Sequence, residues 1–381
     1  MDEYTQVRAS DTQPLASSTN ATLLDYTMLV PNAPISHNAY TERIAIIGAG
    51  LVGLNAAHIL ALLGYRSITI FEESPTAGGM LTLEMPSFGL PPQARAQLLE
   101  LLMRPGGTLR LHTHVGRDIS FDEIYQDYDA VLLAVGVQHQ ASVDVPGEDA
   151  LKGVYSALDT LLTRPFSSQG GCTGMVVVLG GSRYTFDVAA RAVEAGASSV
   201  HVFYPASFSE LPETAKKQLL RPHKRITFHE YTMPKSFLGT EDMHVCGIRC
   251  QRTHWIDQGQ TSHLAFVPGR GQCYPVETVI VAIGEVPDLS FLPHEMTITT
   301  ASGEELQLAG PFTTFVPGLF AAGDVVHDLE SLEEALREGR DVGLQIHHYL
   351  RQQKLNHPEA SNNPGKGNAH LPGPTRKKTI S

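Results

Sequence analysis

Six residues near the start of the chain have the spacing of a phosphate cradle. Gly48-Ala49-Gly50-Leu51-Val52-Gly53 reads G-x-G-x-x-G and follows a short apolar run, Arg43 to Ile47. In such a turn Gly48 permits the tight reversal and Gly50 lets the backbone approach a diphosphate. Gly53 allows the following helix to pack closely on its strand. The helix start adds N–H groups and the positive end of its dipole. Glu72 lies 24 residues after Gly48, at the end of the β-rich run Ile68 to Phe71. A carboxylate there can accept two hydrogen bonds from ribose hydroxyls. A glycine loop alone would suit a plain turn; strand, loop, helix, strand and acid in that order predict a dinucleotide site. Glu73 is the weaker candidate for the same role.

A second loop follows the run Val176 to Leu179: Gly180-Gly181-Ser182-Arg183-Tyr184-Thr185. Ser182 takes the place of the second glycine, where a Cβ and hydroxyl would crowd a diphosphate or hydrogen-bond to it. Thr185 takes the place of the small third residue and is expected to push the helix away from its strand. Counting 24 residues from Gly180 reaches Tyr204, not an acid.

The elements that must hold these loops repeat. Met175 to Leu179, Phe186 to Ala195 and Ser199 to Tyr204 restate the strand, helix, strand order of the first copy. Short buried strands alternating with helices predict a parallel sheet with crossover helices. The fold class expected is α/β, with two interleaved Rossmann-like dinucleotide-binding domains. Late apolar strands, Thr278 to Ile283 and Leu319 to Ala322, complete the two sheets. Residues 1–41 read as an extended arm, with one short apolar segment at Leu23 to Tyr26. Residues 42–157 and 285–352 form one discontinuous domain, and 158–284 the other. Residues 353–381, rich in Pro, Gly, Asn and Lys, are expected to form a disordered tail.

Composition narrows the function classes. With 42% hydrophobic and 18% charged residues the 381-residue chain can bury large cores. A net charge of −12 argues against a general nucleic-acid binder. The chain shows no signal peptide and no apolar stretch of about 18 residues, so a cytoplasmic protein without a membrane span is expected. Four cysteines, with no C-x-x-C, make neither a disulfide framework nor a redox dithiol. No metal site is expected: Cys246 and Cys250 lack further ligands, and the pairs His112/His114 and His347/His348 read as surface residues. His112 and His114 would alternate on a strand. No acid, base or nucleophile stands out.

Further motifs stand in order along the chain: Gly78-Gly79, Pro86, Phe88, Leu90-Pro91, Tyr128 to Gly136, Val145-Pro146-Gly147-Glu148-Asp149 and Gly153 to Asp159. Ala282-Ile283-Gly284, Pro287 and Gly318 to Val325 follow. Over residues 42–352 this order resembles the glutamate synthase small-subunit family of FAD-dependent pyridine nucleotide-disulfide oxidoreductases, which includes the N-terminal half of dihydropyrimidine dehydrogenase. The resemblance implies FAD in the first fold, held by Gly48, Gly50, Gly53, Glu72, Gly79 and Gly136. It implies that Gly323 and Asp324 contact the ribityl and phosphate part of the flavin, Asp324 being otherwise an N-cap. The helix around Leu332 to Gln345 would aim its positive end at the flavin's pyrimidine ring. NAD(P)H would then sit on Gly180 and Ser182.

Departures from the family's pattern qualify this. Relatives that use NADP continue Tyr-Arg-Arg where this chain has Tyr204-Pro205-Ala206. Losing two charge-assisted contacts of about 1.5–3 kcal/mol each weakens 2′-phosphate binding by about two to four orders of magnitude; Arg183 is a poor substitute. Residues 1–41 lack the cysteines of the family's iron–sulfur domain. Glu84, Asp328 and Glu330 replace non-acidic residues near the flavin and either lower its potential or face solvent. Three readings stay open. The first is an oxidoreductase passing electrons from NAD(P)H through FAD to an unidentified acceptor: an electron-acceptor protein or larger catalytic subunit, a quinone, oxygen or a small substrate. The second is an FAD-binding subunit or regulatory flavoprotein with a degenerate nicotinamide site. The third is that residues 158–284 bind a different organic substrate in the vacated crevice.

Overall fold

The computed structural model describes residues 36, 39–82, 90–104, 107–163, 174–211, 213, 215–216, 225–257, 262–269, 271–300, 303–327, 329 and 331–356. Leu23 to Tyr26, Glu84, Asp328 and Glu330 lie outside them, as do nearly all of the expected arm and the tail from residue 357.

The first sheet begins with β1 (Tyr40–Ile47), crosses through helix α1 (Leu51–Leu63) to β2 (Tyr65–Phe71), and continues through α2 (Pro92–Met103) to β3 (Thr108–Arg110). Helix α3 (Phe121–Asp127) leads to β4 (Ala130–Leu133). The chain then leaves through β5 (His139–Gln140) for the second unit. That unit opens with β6 (Val154–Ser156) and α4 (Ala157–Thr163), then β7 (Met175–Leu179), α5 (Arg183–Glu194), β8 (Ser199–Phe203) and β9 (Ile226–His229). A meander, β10 (Thr232–Gly239), β11 (Val245–Asp257), β12 (Ser262–Phe266) and β13 (Gln272–Pro275), precedes β14 (Thr278–Val281). The return runs through β15 (Glu285–Val286), the hairpin β16 (Thr297–Thr300) and β17 (Gly303–Leu306), β18 (Leu308–Gly310), β19 (Thr313–Thr314) and β20 (Leu319–Ala321) to helix α6 (Leu332–Asn356). Residues 353–356, placed by the sequence at the head of the tail, continue α6.

The two sheets share one plan. The first has the order β18-β19-β20-β4-β1-β2-β3, and its last five strands are parallel. The second has the order β6-β14-β7-β8-β9, all parallel. Strands β1 and β7 occupy the same central place, β2 and β8 the next. The chain is thus α/β with two interleaved Rossmann-like folds. Val154–Ser156, read from sequence with the first fold, pairs with β14 in the second sheet.

Central strands are apolar on both faces because helices or a meander cover both. Ile44 and Ile46 pack in one core, Ala45 and Ile47 in another. In the second unit Val176 and Val178 face one core, Val177 and Leu179 the other. Helix α1 is buried from Val52 to Ala61, since it lies between its sheet and α6. Glycines set that approach: a Cβ on Gly339 would stand 2.6 Å from the Val52 carbonyl oxygen, and one on Gly343 3.2 Å from that of Ala56.

Candidate functional site

The first crevice opens at the carboxyl end of β1, where β1 turns into α1. Gly48 has φ +105°, and a Cβ there would stand 2.2 Å from the Ala134 carbonyl oxygen. A Cβ on Gly53 would stand 2.1 Å from the Gly48 carbonyl oxygen. Both glycines are therefore demanded by the fold itself. Gly50 is different: a Cβ there would meet nothing within 4 Å. Its bareness leaves room above the start of α1, where no side chain caps the helix and the first turn holds no acid. Open space over the positive end of a helix suits a diphosphate.

Glu72 borders the same turn and is only 8% exposed. Its Oε2 accepts from the Ala49 N–H at 2.7 Å and its Oε1 from the Ser74 N–H at 2.9 Å. Each oxygen keeps a second lone pair, so the carboxylate can brace the turn and still accept from hydroxyls. Gly78 N–H donates to the Ala49 carbonyl at 2.8 Å. This brings Gly79 against the turn, where its Cβ would lie 3.1 Å from the Gly50 Cα. Gly136 lies just beyond Val135, whose Cα adjoins Gly48, and faces open space.

The turn after β20 closes the crevice. A Cβ on Gly323 would lie 3.3 Å from Val52 Cγ2, in the first turn of α1. Its N–H donates to Glu338 Oε2 at 2.8 Å. His327 Nε2 lies 3.3 Å from Glu338 Oε1. Burial pushes the Glu338 carboxyl above the ordinary range, against the pull of His327 and the Gly323 N–H. Asp324 Oδ1 accepts from the Leu329 N–H at 2.9 Å, and Ser331 Oγ accepts from Glu334 N–H at 3.1 Å. Ser331 therefore caps α6, and Asp324 holds the preceding turn. Glu338 was missed by the sequence reading. Its one signal is spacing, since Ala335, Glu338 and Val342 share the buried face of α6.

The second crevice repeats the first until its far end. Gly180 has φ +133°, and a Cβ there would stand 2.0 Å from the Ala282 carbonyl oxygen. Gly180 N–H donates to the Phe203 carbonyl at 2.9 Å, as Gly48 N–H does to Phe71 at 2.8 Å. Ser182 opens α5 without capping it through its side chain, and its Oγ lies 3.4 Å from Thr185 Oγ1. The buried Thr185 hydroxyl donates to the Ala282 carbonyl at 3.2 Å, so its extra bulk ties helix to strand. The Arg183 side chain lies outside the described residues. Where Glu72 stands in the first copy, the Tyr204 ring lies on Gly181, with Cε2 2.3 Å from where a Cβ would be. Burial and the charge of Glu210 raise the Tyr204 hydroxyl's pKa. The turn at Gly180 and the uncapped helix start repeat the first copy, but Ser182 stands where Gly50 is bare, and the end where the first copy has Glu72 is remade.

Two histidines expected at the surface lie beside the first crevice: the Thr113 N–H donates to the Glu72 carbonyl at 2.8 Å and the His112 N–H to the Ser74 carbonyl at 3.3 Å. His112 and His114 follow β3 in a loop rather than alternating on a strand, and His114 Nε2 lies 3.8 Å from Glu73 Oε2. His347 meets the Tyr65 hydroxyl at 3.1 Å and is partly buried, whereas His348 is exposed. Among the described residues no group of three or more His, Cys, Asp or Glu is placed to hold a metal, and no helix is long and apolar enough to cross a membrane.

A model of the pyridine nucleotide-disulphide oxidoreductases matches residues 114–339, and one of NAD(P)-binding Rossmann-like domains matches 46–90. The chain is 35% identical over 322 residues to the NADP(+)-dependent formate dehydrogenase subunit beta of Moorella thermoacetica, covering 82% of this chain and 44% of that protein. It is 29% identical over 334 residues to the glutamate synthase [NADPH] small chain of Escherichia coli (strain K12), covering 81% and 69%. Several of the curated relatives, the first among them, are about twice as long as the part they share with this chain. Mycobacterium tuberculosis FprA in complex with NADPH shares the fold, with a TM-score of 0.67 at 17% identity over 83% of this chain and 86% of that one. Lactococcus lactis thioredoxin reductase does so with a TM-score of 0.59 at 17% identity, over 82% and 100%.

Proposed function

The chain belongs to the pyridine nucleotide-disulphide oxidoreductase family, and from that we propose that it is an FAD-dependent NAD(P)H oxidoreductase passing electrons to a separate acceptor. The observation that carries this reading is the first crevice: bare space at Gly50 over an uncapped helix start, beside a buried Glu72 with lone pairs to spare. In this reading the first N–H groups of α1 hold the FAD diphosphate and Glu72 accepts from the adenosine ribose. Gly79 and Gly136 leave the prosthetic group room. Gly323 and Asp324, fixed by Glu338 and the Leu329 N–H, border its ribityl chain. Gly180 and Ser182 hold the diphosphate of the nicotinamide dinucleotide. Hydride exchange between nicotinamide and flavin is the chemistry the bound groups supply. The protein's part is to align the two rings and exclude water, which needs no acid or base.

Residues 42–157 and 285–352 then form the FAD domain and 158–284 the nicotinamide domain, with β6 lending a strand to the latter. Several relatives carry subunit or chain names, which supports a larger catalytic subunit or an electron-acceptor protein as partner. The free thiols of Cys246, Cys250 and Cys273 suit a cytoplasmic setting. The alternative, a flavoprotein without dehydrogenase activity, gains no support from these likenesses.

The test is spectroscopic. Purified protein should be yellow or take up FAD, and NADH or NADPH added without oxygen should bleach its absorbance near 450 nm. A colourless protein that refuses FAD, or a flavin that neither donor bleaches at millimolar level, overturns the reading.

A further inference from the structure

The second crevice ends on a loop whose fixed charges are negative. That loop runs from Tyr204 to Leu211, directly after β8, in the position that Glu72 and Ser74 hold after β2. Ser207 N–H donates to Glu210 Oε1 at 3.0 Å, and Ser207 Oγ donates to Glu230 Oε1 at 3.1 Å. The Phe208 N–H also donates to Glu230 Oε1. Two carboxylates are thereby locked to one short turn, and the charge of Glu210 is felt at the Tyr204 hydroxyl. The described cations around it are engaged elsewhere. Lys216 pairs with Glu213 at 2.8 Å, and Arg252 lies over the Tyr231 ring.

A 2′-phosphate and a 2′-hydroxyl meet such a turn differently. The phosphate carries close to two negative charges and needs cations in a fixed fork. The hydroxyl is neutral and donates to a carboxylate, as ribose does at an acid in this position. The Tyr204 ring, packed with Phe228 at 6.0 Å between centroids, gives the site a flat apolar wall that favours neither.

We propose that the second crevice selects NADH over NADPH, with Glu210 and Glu230 as the discriminating groups. This rests on the function proposed above and goes beyond it, since it assigns the donor. It also separates the chain from relatives whose names specify NADPH.

Two measurements test the selectivity. Calorimetric titration with ADP-ribose and with its 2′-phosphate reads the crevice without any flavin reaction. ADP-ribose is expected to bind at least tenfold more tightly, and the gap should narrow as salt rises from about 0.02 to 0.5 M, because screening weakens repulsion. Anaerobic stopped-flow reduction should give the same order for NADH and NADPH. The Glu210→Arg variant should raise the NADPH-to-NADH ratio of bimolecular reduction rates at least tenfold, and Glu210→Gln should raise it less. Equal or tighter binding of the 2′-phosphate overturns the selectivity while leaving the oxidoreductase reading intact. Failure of both fragments to bind, with no bleaching by either donor, overturns both.

Discussion

Glu72 serves two partners with one carboxylate, and this sets what its replacement should do. An amide at this position keeps the size but turns an NH2 toward the N–H of Ala49 or of Ser74, two donors facing each other. Glu72→Gln should therefore loosen the turn and remove a charged acceptor, a loss of about 1.5–3 kcal/mol. FAD affinity is expected to fall about ten- to a hundredfold, read by flavin content after purification and by fluorescence titration. Wild-type affinity in the variant would remove Glu72 from the site. In the second sheet His201 Nδ1 and His229 Nε2 lie 2.8 Å apart, an arrangement in which one neutral ring donates to the other. Burial first, and then the neighbouring His201, lower the His229 pKa to about 4. The unfolded chain takes up this proton near 6.5, so the pair's contribution is present above that pH and is lost as pH falls toward about 4. Thermal melts should show this decline, and His229→Phe should flatten it; an unchanged slope would show that other groups govern it.

Helices α1 and α6 approach backbone to backbone, and the α6 residues at the contact are glycines. Alanine is the better helix former by about 1 kcal/mol. At Gly339, however, its methyl would meet the Val52 oxygen at 2.6 Å and Asn55 Cβ at 2.9 Å. Gly339→Ala is expected to cost about 1–3 kcal/mol by overpacking. Gly343→Ala, whose methyl would lie 3.2 Å from the Ala56 oxygen, should cost less, and a thermal or urea melt ranks the two. At this scale the sequence was legible where glycine punctuates an apolar run. Hence Met175–Leu179 was placed to the residue, and both glycine turns fell where they were expected. The meander β10 to β13 was not legible. Its β11 mixes cysteine, arginine, threonine, histidine and tryptophan over thirteen residues, because one face meets a core and the other stays open. Glu338 was hidden for a related reason: an acid on a helix reads as solvent-facing until its acceptor role to a backbone N–H is visible.

In the whole molecule the two units are joined by β5 and β15, which pair antiparallel as Gln140 with Glu285 and His139 with Val286. Gln140 strengthens the crossing: its Nε2 donates to the Gly284 carbonyl at 2.8 Å, and its Oε1 accepts from Ala157 N–H at 3.1 Å. Gln140→Ala should raise amide exchange at Ala157, whose N–H its Oε1 accepts, while leaving β1 and β7 protected, measured by hydrogen exchange. Unaltered exchange at that amide would mean the side chain adds nothing to the joint. The repeat of strand order across two sheets was legible from the recurring loops. The assignment of β6 was not, since three residues carry no periodicity and their partner β14 is far along the chain.

The placement of β20 beside β4 has a consequence for a nascent chain. Strand β4 emerges with its free edge bare, and the strand that covers it, Leu319–Ala321, is translated only after the entire second unit. At a synthesis rate of about 5–20 residues per second the interval from Leu133 to Leu319 lasts about 10–40 s. During that time Val131 and Leu133 offer an apolar ladder to any passing strand. Ribosome-bound chains halted before Leu319 should recruit chaperones or aggregate, and chains halted once α6 has left the exit tunnel should not.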